Sequence, residues 1–249
     1  MGLLSALSIG VVLLAVANPD NPILSKLPFT HSVPINSISG LPGGDGPVLV
    51  VKIDDTRQAH PQIGLEGADI VYIEQVEGGL TRLAAIYSSK IPSRIGPVRS
   101  ARISDIDILS QFGRVAFAYS GAQKKLFPVI SAANVQDLGA QRQSSTIYTN
   151  DPTRNRPYAM VLRADLLMQK IVEEQMQVDS AKSIGFVFGD LQEGGVDIQK
   201  AVVDWPAATY SAEWSAQESR WLLSHNNEIN RADSGVILGP TTFVIQLVS

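Results

Sequence analysis

Residues 48–53 constrain the fold of this chain more than any other segment. Val48-Leu49-Val50-Val51-Lys52-Ile53 is apolar except for Lys52, and is bounded by Gly46-Pro47 and Asp54-Asp55. A run this short and this rich in β-branched residues reads as a buried strand. After a loop through Pro61, residues 68–76 read as a second strand. Gly78-Gly79 can supply the positive φ angles of a tight turn, and 81–87 read as a third strand running back. Ser104 has the character of an N-cap, with Asp105 and Asp107 in the first turn, apolar Ile106, Leu109 and Phe112 at helical spacing, and Gly113 as a stop. Residues 115–119 suggest a further strand, 124–133 a helix despite Pro128, and 164–177 an amphipathic helix.

Beyond Ser183 helical periodicity nearly vanishes. Residues 184–188, 201–203, 209–214, 221–223 and 243–247 are short strand candidates separated by turn residues. Strands alternating with helices, then strands alone, predict an α/β (α+β) chain. The expected organisation is a mixed-sheet N-terminal domain with flanking helices over 47–180 and a smaller β-rich C-terminal domain over 184–249. Tyr210, Trp214 and Trp221 can line a sugar-binding face there or fill the core of a small β domain, and the core reading is favoured.

The start of the chain speaks to address. Residues 2–17 carry no charge, fall short of the roughly 20 residues that span a bilayer, and end in Ala15-Val16-Ala17, a small-x-small pattern. Residues 1–17 therefore read as a signal peptide or membrane anchor, although no Lys or Arg precedes the apolar run. Residues 18–46, rich in Pro, Asn, Ser and Gly, read as a linker. The expected location is extracytoplasmic, secreted or held at the outer face of the cell membrane through the N-terminal segment.

Composition removes several chemistries. No cysteine is present, which excludes disulfides, cysteine-ligated metals, thiol catalysis and a lipid attached through cysteine. His31, His60 and His225 lie far apart and match no metal-ligand spacing, so neither metal nor cofactor is expected. The formal charge of −4 and the absence of a long basic block argue against nucleic acid as a partner.

Charged residues crowd the ends of the first strands. Asp54, Asp55, Glu74 and Glu77 are candidate acid–base carboxylates. A two-residue Gly78-Gly79 loop would set Gln75 opposite Arg82 and place Glu77, Gln75 and Arg82 on one face. In Ile95-Gly96-Pro97-Val98-Arg99-Ser100-Ala101-Arg102, Arg99 and Arg102 are three apart, and guanidinium forks beside a helix N-terminus can hold a phosphate, sulfate or carboxylate. Arg99, Arg102, Arg82, Ser100 and Lys52 are thus the candidate ligand-binding residues. Their alternative role is to tie the loop internally to Asp54, Asp55 or Glu74.

Val51-Lys52-Ile53-Asp54-Asp55, Pro61-Gln62-Ile63-Gly64-Leu65, Ala68-Asp69-Ile70-Val71-Tyr72, Val76-Glu77-Gly78-Gly79-Leu80-Thr81-Arg82 and the stretch from Ile95 to Arg102 occur in this order and spacing. Together they resemble the YerB-like family of bacterial envelope lipoproteins, over residues 47–120 most strongly. The resemblance implies an extracytoplasmic protein at the membrane's outer face and carries over no catalytic role. It also implies more chain after Leu247-Val248-Ser249, so that the 184–249 domain is expected to be truncated. The reading reached is a non-enzymatic envelope module that binds an anionic wall component or an envelope protein. The alternatives are a wall-glycan or peptide hydrolase using paired carboxylates, and a protein-interaction scaffold.

Overall fold

The computed structural model describes residues 33–189 and 194–247. Residues 1–17, the expected signal peptide or anchor, lie outside the described residues. No helix among the described residues is long and apolar enough to cross a membrane. Residues from Ile35 onward form one compact unit.

Strand β1 (Leu49–Asp54) is buried at all six positions. It lies at the centre of a five-stranded mixed sheet, ordered β2 (Ile70–Gln75), β3 (Thr81–Tyr87), β1, β5 (Val115–Ala118) and β6 (Val135–Asp137). β3 runs antiparallel to both β1 and β2, whereas β1, β5 and β6 are parallel. A strand covered on both faces has no reason to alternate polar with apolar residues, which explains the continuous apolar run. Its side chains still alternate in direction. Leu49, Val51 and Ile53 enter one core with Leu83, Tyr87 and Ala118; Val50 enters the other with Ile86 and Phe117.

The first core is closed by a three-stranded antiparallel sheet and a helix. The sheet is ordered β4 (Arg94–Ile95), β8 (Met160–Arg163), β7 (Tyr148–Asn150), and helix α3 (Ala164–Glu173) contributes Leu167 and Ile171. The second core is closed by α1 (Ser104–Ser110) and α2 (Phe127–Ala132), through Leu109 and Ile130. Pro128 is accommodated because it falls in the first turn of α2, where no intrahelical N–H bond is lost. α3 is shorter than the amphipathic pattern suggests, and Gln175 adopts φ +51 just beyond it.

The C-terminal region holds a four-stranded antiparallel sheet: β9 (Lys200–Trp205), β10 (Ala208–Ser215), β11 (Arg220–His225) and β12 (Glu228–Ile229). Two expected strands are absent. Residues 184–188 are irregular, with Phe186, Val187 and Phe188 exposed, and 243–247 pair with no neighbour among the described residues. Apolar content without a ladder partner is not sufficient for a strand. Tyr210 is buried, as the core reading requires, while Trp214 and Trp221 pair across β10 and β11 with ring centroids 5.5 Å apart.

The β2–β3 turn differs by one residue from the sequence expectation. Gln75 pairs with Thr81 and Glu74 with Arg82, and the Val76 N–H bonds the Leu80 carbonyl across a Glu77-Gly78-Gly79 loop. Both glycines have φ near +70, and a three-residue loop uses both. Since strand side chains alternate, the slip moves Gln75 away from Arg82's face and brings Glu74 onto it.

Candidate functional site

Lys52, Asp54, Glu74 and Arg82 occupy one face of the sheet, because Lys52 pairs with Ala84, and both Asp54 and Glu74 flank Arg82. Lys52, expected among the ligand-binding residues, is instead fully buried. Its Nζ lies 2.5 Å from Glu74 Oε1 and 2.7 Å from Asp105 Oδ1. An ammonium in the interior is tolerable only when paired in this way. Ser104, expected to cap α1, instead donates its hydroxyl to Glu74, and Asp105 Oδ2 accepts the Arg102 N–H at 2.6 Å. The group holds two carboxylates against one ammonium. Burial, reinforced by the Glu74 charge, raises Asp105 to about 6 against the pull of Lys52.

At the sheet's end the arginines gather. Arg99 Nε forms an ion pair at 2.8 Å with Asp54 Oδ2, whose other oxygen accepts the Thr56 N–H. Arg102 uses four of its five N–H donors: Nε and Nη2 donate to Glu77 Oε2, and Nη1 donates to the carbonyls of Ser100 and Ala101. Arg82 Nη1 donates to the same Ser100 carbonyl at 3.3 Å. Among the described residues no carboxylate comes within ion-pair distance of Arg82. Burial and the neighbouring Arg102 and Arg99 charges lower it to about 10, with Asp54 and Glu77 opposing. Ser100 therefore contributes its backbone oxygen to this cluster.

Asp55 points the other way. It is buried, and its carboxylate accepts hydrogen bonds from Tyr210 Oη at 2.7 Å, Thr81 Oγ1 at 2.6 Å and Gln62 Nε2 at 3.2 Å. His60 Nε2 lies 3.2 Å from Asp55 Oδ1, and His225 Nε2 lies 3.9 Å from Oδ2. The two imidazoles stack with centroids 4.5 Å apart and planes 6° apart. Burial lowers the His225 pKa, and the His60 charge acts in the same direction against Asp55. The loop carrying His60 is clasped by Arg154, whose guanidinium donates to the carbonyls of Ala59 and Pro61. A cleft of about 250 Å³ opens beside Asp55 and His225, lined also by Thr56, Arg57, Tyr158 and Asn226.

The four candidate acid–base carboxylates are thus dispersed. Asp54 pairs with Arg99, Glu74 with Lys52 and Glu77 with Arg102, while Asp55 faces the histidines. The His60–His225 pair was not legible in the sequence: 165 positions separate them, and only the return of β11 onto the β1 end brings them together. Of the three residues, the sequence singles out only Asp55, as one of the candidate acid–base carboxylates.

The fold is an α+β architecture with a mixed central sheet and a β-rich C-terminal region. Residues 39–177 match the family described as "Protein of unknown function (DUF3048) N-terminal domain", and the chain belongs to that family. Over 83 residues, 32% of this chain, it is 40% identical to the Bacillus subtilis (strain 168) protein named "Putative lipoprotein YerB". That match covers 25% of the relative, so the chain aligns with about a quarter of its length. The crystal structure of YerB protein from Bacillus subtilis shares the fold, with a TM-score of 0.69 at 18% identity over 82% of this chain and 71% of that one. The resemblance drawn from the sequence motifs is borne out.

Proposed function

We propose that this chain is an extracytoplasmic envelope protein, membrane-associated through residues 1–17, that binds an anionic wall polymer at Arg82 and Arg99. The observation that carries the reading is a surplus of positive charge. Three guanidiniums meet at the end of the sheet, only Asp54 and Glu77 offset them, and Arg82 has no ion-pair partner among the described residues. A guanidinium held beside other cations gains by pairing with a phosphate or carboxylate, since that contact removes repulsion as well as forming charge-assisted bonds. Arg102, with four of its donors committed to Glu77 and two carbonyls, positions the loop rather than gripping the ligand. The similarity to a protein named as a lipoprotein, together with the apolar N-terminal segment, supports the envelope location.

The test is co-sedimentation of the purified chain with intact cell walls, and with walls stripped of phosphate polymers, at low and high salt. Salt-reversible pelleting is expected, and lost in the Arg82→Ala/Arg99→Ala double variant, whose native fold is checked by circular dichroism because the buried Asp54 loses its ion-pair partner. Pelleting that ignores salt or survives the double variant overturns the reading. Release of soluble fragments would instead favour a hydrolase.

A further inference from the structure

We propose that Asp55, His60 and His225 form a binding site for a first-row divalent metal ion of the zinc type. The site is separate from the arginine cluster and lies on the opposite face of the sheet. Two imidazoles and one carboxylate are a donor set that zinc takes in sites that keep a further position open. One ligand atom from each of the three residues lies within 4.8 Å of the others. Ligand atoms about 2.0–2.1 Å from a tetrahedral ion sit roughly 3.3 Å apart, so the cluster closes by about an ångström on loading.

Two independent observations point to a cation. His225 is 6% exposed, and its Nε2 is buried without a hydrogen-bond partner, a costly state for a polar nitrogen 3.9 Å from a carboxylate oxygen. The second concerns Asp55 Oδ1, His60 Nε2 and Gln62 Nε2, which lie 3.1–3.2 Å from one another. With Asp55 ionised, no assignment of protons satisfies all three contacts. If the Gln62 amide N–H groups serve both neighbours, the carboxylate and the imidazole lone pair face each other as two acceptors. If His60 Nε2 carries a proton, it meets the amide N–H groups donor to donor. If the amide is turned over, its oxygen meets the carboxylate. A cation shared by Oδ1 and Nε2 removes the first mismatch, because both atoms then donate lone pairs to it, and the Gln62 amide keeps its hydrogen bond to Asp55 while releasing the His60 nitrogen.

The supports of Asp55 fit the role. Tyr210 Oη and Thr81 Oγ1 each donate to one of its oxygens, which is how carboxylate ligands are held in orientation. The adjoining cleft gives the ion an open side. One adjustment is required: rings 4.5 Å apart and nearly parallel hold their in-plane lone pairs in separate parallel planes, so the stack must splay for both to reach one ion. His60, partly exposed on its loop, has the room to turn.

The experiment is titration of the untagged full chain with zinc by calorimetry, and with cobalt(II) as a visible-absorption probe of coordination. Saturable binding of one ion per chain is expected, with a low-coordinate cobalt spectrum. His60→Ala and His225→Ala should each weaken binding by roughly 100-fold. His60→Ala changes the more exposed ring and decides the matter if His225→Ala fails to fold. The absence of saturable binding, or affinity unaffected by His60→Ala in a folded chain, overturns the proposal.

Discussion

Asp54 and Asp55 are adjacent in the chain but serve opposite faces of the central sheet. Asp54 ends β1 against Arg99, on the side of α1, and Asp55 turns to Thr81, Tyr210 and the two histidines. The alternation of an extended chain separates what the sequence presents as a carboxylate pair. Two chemically distinct clusters therefore sit back to back. The arginine cluster is built largely within residues 54–102, whereas the Asp55 cluster needs β10 and β11 to be complete.

The interior Lys52 group gives stability a definite pH dependence. Asp105 has a folded pKa of about 6 against an ordinary value of 3.8. Between these values the folded chain binds more protons than the unfolded chain, so stability falls as pH rises from about 4 to 6 and the contribution is then constant. At ~1.4 kcal/mol per pH unit the change is on the order of 2–3 kcal/mol. Urea unfolding across this range, compared between the native chain and Asp105→Asn, should show the extra slope only in the native chain. Equal slopes would place the proton elsewhere.

Removing the ammonium has the opposite character. Lys52→Met leaves Glu74 and Asp105 buried and facing each other without a cation, which should cost about 3–5 kcal/mol at neutral pH. Much of that loss should be recovered near pH 4.5, where a proton replaces the ammonium. A neutral-pH loss below about 1 kcal/mol would mean that water reaches the group.

The sequence made the central sheet legible because β1, β2 and β3 are continuous runs with clear ends, and the bounds of β3 coincide with the expected 81–87. Register was harder. Gly78-Gly79 looks like a two-residue hairpin loop, yet the loop takes in Glu77, and that single step decides whether Gln75 or Glu74 flanks Arg82. The arginine cluster was visible because its members are close in sequence. Lys52 was misplaced, since a charged residue in an apolar run gives no sign of which acids will bury with it. His60 and His225 carry no local pattern at all, and their pairing is a product of tertiary return.

Glu77 restrains the arginine cluster. Its carboxylate, lowered in pKa chiefly by its hydrogen bond from Arg102, is 56% exposed. An ion pair so open to solvent contributes less than about 1 kcal/mol to stability. Glu77→Gln should therefore change Tm little while it raises the cluster's net charge by one. Salt-sensitive wall binding should strengthen and its salt slope should steepen. Weaker binding at unchanged Tm would assign Glu77 to the ligand contact itself.

Tyr210 links the C-terminal sheet to Asp55, the residue that follows β1. Its hydroxyl is buried, burial and the Asp55 charge raise its pKa, and it donates to the Asp55 carboxylate at 2.7 Å. Tyr210→Phe keeps the ring's packing against Trp205 and His225 and deletes the hydroxyl's bond to Asp55. Hydrogen bonds to charged groups contribute about 1.5–3 kcal/mol. A loss of that size is expected in chemical denaturation, and a negligible one would show that water substitutes at Asp55.

Gly64 and Gly78 separate backbone conformation from crowding, because both have φ +72. A Cβ at Gly78 meets nothing within 4 Å, whereas at Gly64 it runs into the backbone carbonyl oxygen of Arg94. That carbonyl belongs to β4, and the neighbouring Ile63 and Gly96 exchange two backbone hydrogen bonds that fix the loop against it. Gly78→Ala should cost about 1 kcal/mol, the left-handed conformation alone. Gly64→Ala should cost that plus about 1–3 kcal/mol for displacing a hydrogen-bonded strand. Unfolding free energies of the two variants, measured side by side, give the difference directly. Equal losses would mean that the loop moves away from β4 at no cost, and would remove the rigid support ascribed to the segment that presents His60.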